Sequence, residues 1–573
     1  MQRLISLRKT LHKPSSSSLR GVFSATQNKT LSTFKYSPFS GGVHKPRGEN
    51  QSPYDIKTGD LLSGFRVIKT EEIPLYSMKA FILEHEKTKA RYIHLHTPDS
   101  NNCFAVLLRT TPDDDKGAPH ILEHTVLCGS EKYPVRDPFF NMLKRSLNTY
   151  MNAWTGSDFT CYPFSTQNEK DFKNLLDVYV QAVYKPLINR HDFLQEGWRY
   201  DFQKEGDSNS DLIVKGIVYN EMKGVMQTAD NLFLDNLQKS MFKDSPYRFT
   251  SGGLPSAIPL LSYEELKQFY NKFYHPSNSF FYSYGDLDFR EHLKFLEENY
   301  LKNYDYVDPK TEIPLQKRYN EPVTAYIKSP PDAVAIDPER QAKFGVSFLC
   351  NNIVEDPITS FSMQLLSYML FETPSSPFYQ TLIESGLASG YCPGYGYDSN
   401  MKQGTLTIGV RNIGDSKEEI EMVEKIINET LEKVAAEGFS KEFIESALHQ
   451  TEITAKLPKA DSGIFLLQQL ISFMNHNGDP LSVLKINETL QEIRNRIEKG
   501  GYFEGLVKKY LIENPHRVKL IMTPDAEVVK QEVQREKKLF EQAQKDLNEE
   551  KKIKIIQEVM NKLQKKIFTI FRI

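Results

Sequence analysis

Apolar positions in this chain recur with two different periods, and the switches between them divide it into elements. Phe104-Ala-Val-Leu-Leu-Arg109 and Ser279-Phe-Phe-Tyr-Ser-Tyr284 are short apolar and aromatic runs of strand type. Longer stretches with helical spacing lie between them, including 120–127 and 169–183. The series then repeats, with a strand over Phe344-Gly-Val-Ser-Phe-Leu349, a helix from Ser362 to Phe371, a strand over Gly404-Thr-Leu-Thr-Ile-Gly-Val410 and later helices. Between the two series the chain is dense in Pro, Lys and Asp and includes Ser329-Pro-Pro-Asp, which predicts a linker over 306–337. From about 525 to 567 it is highly charged, with Leu539, Leu547, Ile553, Ile556, Val559 and Leu563 on roughly one helical face. That pattern predicts a long amphipathic helix in need of a partner. A length of 573 residues suits two to four compact units, here 55–305 and 338–522 flanked by the linker and the charged helix.

Composition narrows the setting. Five cysteines (Cys103, Cys128, Cys161, Cys350, Cys392) are odd in number and lack C-x-x-C spacing, so neither a disulfide framework nor a cysteine metal site is expected. No run approaches eighteen uninterrupted apolar residues, so no membrane span is expected, and no nucleic-acid partner is called for. Residues 1–48 carry nine Lys or Arg, are rich in Ser and Thr, and precede the first acidic residue, Glu49. Leu4, Ile5, Leu7, Leu11 and Leu19 form a loose apolar stripe, the composition of a mitochondrial matrix-targeting peptide, with a disordered basic tail as the alternative. Removing those nine cations from a formal net charge of −2 leaves about −11, a charge that attracts basic peptides or simply solvates the surface.

The candidate chemistry sits in His120-Ile-Leu-Glu-His124. At about 100° per residue, His120, Glu123 and His124 project from one helix face, so two imidazoles and a carboxylate converge. The arrangement suits half of a zinc site with a base beside it, while a solvated helix bearing two histidines by chance stays open. A third ligand has to come from another helix. Glu221, in the helical stretch Gly216 to Gln227, and Glu196, beside Trp198, are both available, and surface solvation is the ordinary fate of each. Cys128, four residues past His124, reads as a small buried residue.

Three separated segments, Lys116 to Ser130, Asn148 to Asp158 and Tyr219-Asn-Glu-Met-Lys-Gly224, together resemble the pitrilysin-type peptidases with the inverted zinc motif, and most closely the presequence protease subfamily. The resemblance runs from about residue 50 to about 545. It implies an α+β fold of two structurally similar αβ sandwich domains, antiparallel-rich sheets with packed helices, followed by the long charged helix. It implies one zinc per chain held by His120, His124 and Glu221, with Glu123 as general base and Glu196 as an auxiliary acid. It implies that Asn152 and Ala153 lie on an edge strand that receives the substrate peptide, against the alternative of a plain polar turn at Asn152. The expected activity is endoproteolysis of unstructured peptides, including cleaved targeting peptides, in the matrix. The counterpart of the zinc helix in the second unit, Ser362 to Met369, has neither His nor Glu, so that unit is expected to support and not to catalyse. The family's helical hairpin begins near 525 and leads to a further half, so a second chain supplying that half is an expected partner. The alternatives are a weak or inactive zinc-binding scaffold and a processing-peptidase-like subunit.

Overall fold

Strand alternation in the first half builds one sheet whose two faces are both buried. β5 (Asn102–Arg109) shows this most plainly: Phe104, Val106 and Leu108 enter one core, and Cys103, Ala105 and Leu107 enter another. In the computed structural model, which describes residues 55–545 apart from 205, 333, 334, 336, 458 and 460 and reaches a few positions up to 557, this sheet has nine strands. They are β1 (Leu61–Leu62), β2 (Phe65–Ile73), β3 (Met78–His85), β4 (Arg91–His96), β5, β6 (Asn148–Met151), β7 (Trp154–Thr155), β8 (Phe159–Thr166) and β11 (Ser279–Gly285). Their spatial order is β1-β2-β3-β4-β11-β5-β8-β6, with β7 also on β8, and only β4 and β11 run parallel. β9 (Arg199–Phe202) and β10 (Leu212–Lys215) form a separate hairpin.

The second half repeats this wiring in a sheet of β12 (Val323–Ser329), β13 (Ala342–Asn352), β14 (Gly390–Tyr391), β15 (Gly396–Asp398), β16 (Gln403–Ile413) and β17 (Arg517–Pro524). The order β12-β17-β13-β16-β14, with β12 and β17 parallel, matches β4-β11-β5-β8-β6 strand for strand in both sequence order and direction. The helix that follows β5 bears the His motif. The helix that follows β13 is the one expected as its counterpart.

Eight helices define the site and the core: α1 (Ala118–Val126), α2 (Glu169–Tyr184), α3 (Arg190–Glu196), α4 (Ile217–Met226), α5 (Ala229–Met241), α6 (Pro357–Phe371), α7 (Ser462–Asn475) and α8 (Ala526–Lys545). α1 and α2 cover one face of the first sheet. Its other face is covered by α7, through Ile464, Leu467, Leu470 and Met474. In return α5 lays Phe233, Leu237 and Met241 on the second sheet. Each sheet therefore buries its second face under a helix from the other half of the chain, and the described residues form one compact unit. α8 passes beside β10 and β12.

The structure departs from the sequence reading in the segment 306–337. It contains β12, whose alternate residues Thr324, Tyr326 and Lys328 are exposed because it is the edge of the second sheet. An edge strand with one solvated face has a polar sequence pattern much like that of a linker. Upstream of β12 the extended chain is tied down, with Thr311, Ile313 and Gln316 buried. The targeting peptide expected over 1–48 and the part of the charged helix beyond 557 lie outside the described residues. No described helix is long and apolar enough to cross a membrane.

Candidate metal centre

α1 turns its apolar side, Ile121, Leu122 and Val126, into the first core and presents His120, Glu123 and His124 on the other. The two imidazole centroids are 5.0 Å apart. Nε2 of His120 and Nε2 of His124 each lie 4.0 Å from the same oxygen of Glu221 on α4. Local backbone explains how three helices meet here. A Cβ on Gly216, just before α4, would lie 1.9 Å from the Gly197 carbonyl oxygen at the end of α3, so only glycine permits that approach.

Glu196, the last residue of α3, stands behind His124: its Oε2 is 3.2 Å from His124 Nδ1, and its Oε1 accepts from Gln195 Nε2 at 2.8 Å. Gln195 in turn accepts from Arg136. The carboxylate thus orients an imidazole. Glu123 is nearly buried and its Oε2 accepts a 2.5 Å hydrogen bond from Thr155 Oγ1. Burial, together with neighbouring His124, lowers the pKa of His120 and keeps it neutral. Burial also opposes charging of His124, yet its hydrogen bond with Glu196 and the carboxylates of Glu123 and Glu221 outweigh that, and its pKa is raised.

Two observations test the fit to a metal. The donor atoms of His120, His124 and Glu221 all lie within 4.8 Å of one another. Around a tetrahedral zinc with bonds of about 2.0–2.2 Å neighbouring donors are roughly 3.3–3.5 Å apart, so the three have to close in by no more than about 1.5 Å. His120 Nδ1 is buried at the Gly252 backbone without a well-formed hydrogen bond. Two imidazoles and one carboxylate are the donor set of a zinc site that keeps a fourth position for water, and the residues fit the ion.

Asn152 and Ala153 fall in a short break between β6 and β7, on the outer edge of the first sheet. Asn152 N–H donates to Pro163 O at 3.1 Å, and its Oδ1 accepts from Ala153 N–H at 2.9 Å, so that amide is already engaged. Trp198 anchors the end of α3 by donating to Leu261 O at 2.8 Å. Cys128 is buried, with its thiol pKa pushed up by burial, and all five cysteines are free. On α6 the Ser362 hydroxyl bonds Ile358 O and Tyr502 OH, and among the described residues the His120, His124 and Glu221 group is the one suited to an ion. Thr155, Gln195 and Arg136 escaped the sequence reading. Thr155 lies three residues after Asn152 in a segment already singled out, whereas nothing in the sequence connects Arg136 with Gln195.

Two family profiles match the chain: insulinase (peptidase family M16) over residues 109–234, and the peptidase M16 inactive domain over 261–451. The chain is 43% identical over 498 residues to a mitochondrial presequence protease of Xenopus tropicalis, a match covering 87% of this chain and 48% of the relative. It is 40% identical over 473 residues to that of Schizosaccharomyces pombe, covering 82% and 47%. It therefore spans about half the length of these curated relatives. A protease from Helicobacter pylori shares the fold with a TM-score of 0.61 at 15% identity, over 78% of this chain and 100% of that one. The wiring of the two sheets, the two profiles and these identities lead to one assignment: the chain belongs to the M16 peptidase family, the pitrilysin-type peptidases, and is similar within it to the presequence proteases.

Proposed function

We propose that the chain is a zinc-dependent endopeptidase that cleaves unfolded peptides, cleaved targeting peptides among them, in the mitochondrial matrix. The convergence of His120, His124 and Glu221, with Glu123 beside them on α1, carries this reading. The likeness to mitochondrial presequence proteases supports the substrate class and the compartment. His120, His124 and Glu221 hold the ion, and Glu196 fixes the tautomer of His124 from behind. A bound zinc supplies Lewis acidity and makes a water ligand acidic near neutral pH. Glu123 takes the proton from the attacking water and returns it to the leaving amine, so no serine or cysteine nucleophile is required. The sheet edge at Asn152 and Ala153 receives the peptide by strand addition, for which the Asn152 side chain gives up its hydrogen bond with the Ala153 N–H, and backbone pairing of this kind gives affinity with little sequence preference. Removal of residues 1–48 leaves a net charge of about −11, which favours basic peptides.

The test is hydrolysis of a basic presequence peptide by the purified chain, with zinc content measured in parallel. Chelator should abolish turnover, and Glu123→Gln should lower it roughly 10²- to 10⁴-fold while zinc stays bound. A chain that binds no zinc, or turnover indifferent to both chelator and Glu123→Gln, sinks the reading. Because the relatives are about twice the matched length, adding a chain that carries the rest of such a relative shows whether a second chain raises turnover.

A further inference from the structure

We propose that Thr155 is the positioning residue for the Glu123 carboxylate, and that the far half of the chain, through His476, sets where Thr155 stands. This rests on the reading of Glu123 as general base. In the 2.5 Å contact Thr155 Oγ1 is the donor and Glu123 Oε2 the acceptor. Three carboxylates, Glu123, Glu196 and Glu221, surround the His124 imidazole. Their mutual repulsion makes the hydrogen bonds that hold Glu196 and Glu123 in place important to the geometry. Glu196 is tied by Gln195 and His124, and Glu123 by Thr155.

Thr155 is itself held by its turn. It pairs with Thr160 across β7 and β8, and Gly156 N–H closes the hairpin onto Phe159 O at 2.8 Å. Asp158, at the tip of that turn, is 2% exposed. Its carboxylate accepts from Tyr247 OH at 2.6 Å and lies 3.1 Å from His476 Nε2. Its backbone oxygen accepts from Thr110 N–H at 2.9 Å and from Asn475 Nδ2 at 3.4 Å. Asn475 and His476 form the C-terminal end of α7, the helix that the far half lays on the first sheet. A buried carboxylate cannot shed these partners without a large desolvation penalty, so α7 pins the turn. The path His476, Asp158, Thr155, Glu123 thus runs from a helix with no metal ligand to the proposed base.

Thr155→Val keeps the side-chain shape and deletes the donor, while Thr155→Ser keeps the donor. With zinc content unchanged, Thr155→Val should lower kcat by about 10- to 100-fold and leave KM within about twofold, and Thr155→Ser should restore kcat to within about threefold. A crystal structure of Thr155→Val should show the Glu123 carboxylate moved from its present position, a readout that does not depend on turnover. Glu123 unmoved in that structure, or kcat unchanged, overturns the first link. For the second, backbone amide exchange over residues 154–160 in the metal-free chain should quicken by about tenfold in His476→Leu and less in His476→Gln, which keeps a donor. Should His476→Leu not fold, Asn475→Ala, which removes the α7 side-chain donor to the Asp158 backbone oxygen, carries the same expectation. Unchanged exchange in the folded variant overturns that link. Glu123→Gln separates the two readings: full turnover there removes the base itself, whereas an inactive Glu123→Gln beside an indifferent Thr155→Val removes only the role of Thr155.

Discussion

His124 turns Nε2 toward Glu221 and Nδ1 toward Glu196, and this double engagement sets a competition between a proton and a metal. Although burial opposes it, the surrounding carboxylates raise the His124 pKa above its ordinary value of 6.5. In the metal-free chain a group raised in this way stabilises the fold fully below the unfolded value, and that contribution is lost as pH rises through the folded one. A metal ligand has to be neutral, so binding expels this proton. Zinc affinity should therefore fall as pH drops below the raised pKa, by about tenfold per pH unit. Competition with a chelator at several pH values between about 6 and 8 measures it. Glu196→Gln removes the main carboxylate on Nδ1. It should flatten that pH dependence while weakening zinc binding overall by about 10- to 100-fold. An affinity independent of pH in the unaltered chain contradicts this account of His124.

At the scale of elements the main device is the exchange of helices. Leu467 on α7 is fully buried against the first sheet, although α7 belongs to the far half of the chain. Leu467→Ala should cost about 2–5 kcal/mol, and denaturant unfolding followed at both halves should shift in a single transition. Two transitions, with only the second half weakened, would mean that the halves are independently stable. The same exchange marks where the sequence stopped being informative. Runs such as Phe104 to Arg109, Phe344 to Leu349 and Gly404 to Val410 all lie inside observed strands, because alternation between two buried faces leaves short unbroken apolar segments. α1 was legible because spacings of three and four residues put its polar groups on one face. α7 is buried along almost its whole length, so its pattern announces burial but does not say under which sheet. The contact of Thr155 with Glu123 and of His476 with Asp158 joins residues distant in sequence, and no periodicity records it. β12 hid in the opposite way, since an edge strand with Tyr326 in solvent carries too little apolar signal.

For the whole molecule the halves are stitched by the extended segment that precedes β12, and the stitch has a built-in acid limit. Arg318 donates to the carbonyl of Leu349 at 2.8 Å, and Tyr319 OH donates to Ser240 O at 2.8 Å, joining the segment to β13 and to the end of α5. Between them sits His516, just before β17 and fully buried. Tyr319 N–H is 3.0 Å from His516 Nδ1, and His516 Nε2 is 3.1 Å from Met241 O. These partners dictate one neutral tautomer: Nδ1 accepts and Nε2–H donates. The Tyr319 ring stacks on the imidazole at 3.8 Å. Protonating Nδ1 would set two donors against each other, and burial, assisted by Arg318 and Lys243, pushes the His516 pKa down to about 4. The unfolded chain then binds the proton more readily than the folded one between the ordinary value of 6.5 and about 4. Stability supplied by His516 is therefore full above that window and is lost as pH falls through it. His292, buried against Phe172 with its pKa also lowered to about 4, adds to the same trend. Urea unfolding at pH values from about 7 down to 4.5 should show falling stability, and His516→Gln should start less stable at neutral pH but decline less steeply. If the slope in that variant equals that of the unaltered chain, the acid limit lies elsewhere than in this joint between α5, the extended segment and the second sheet.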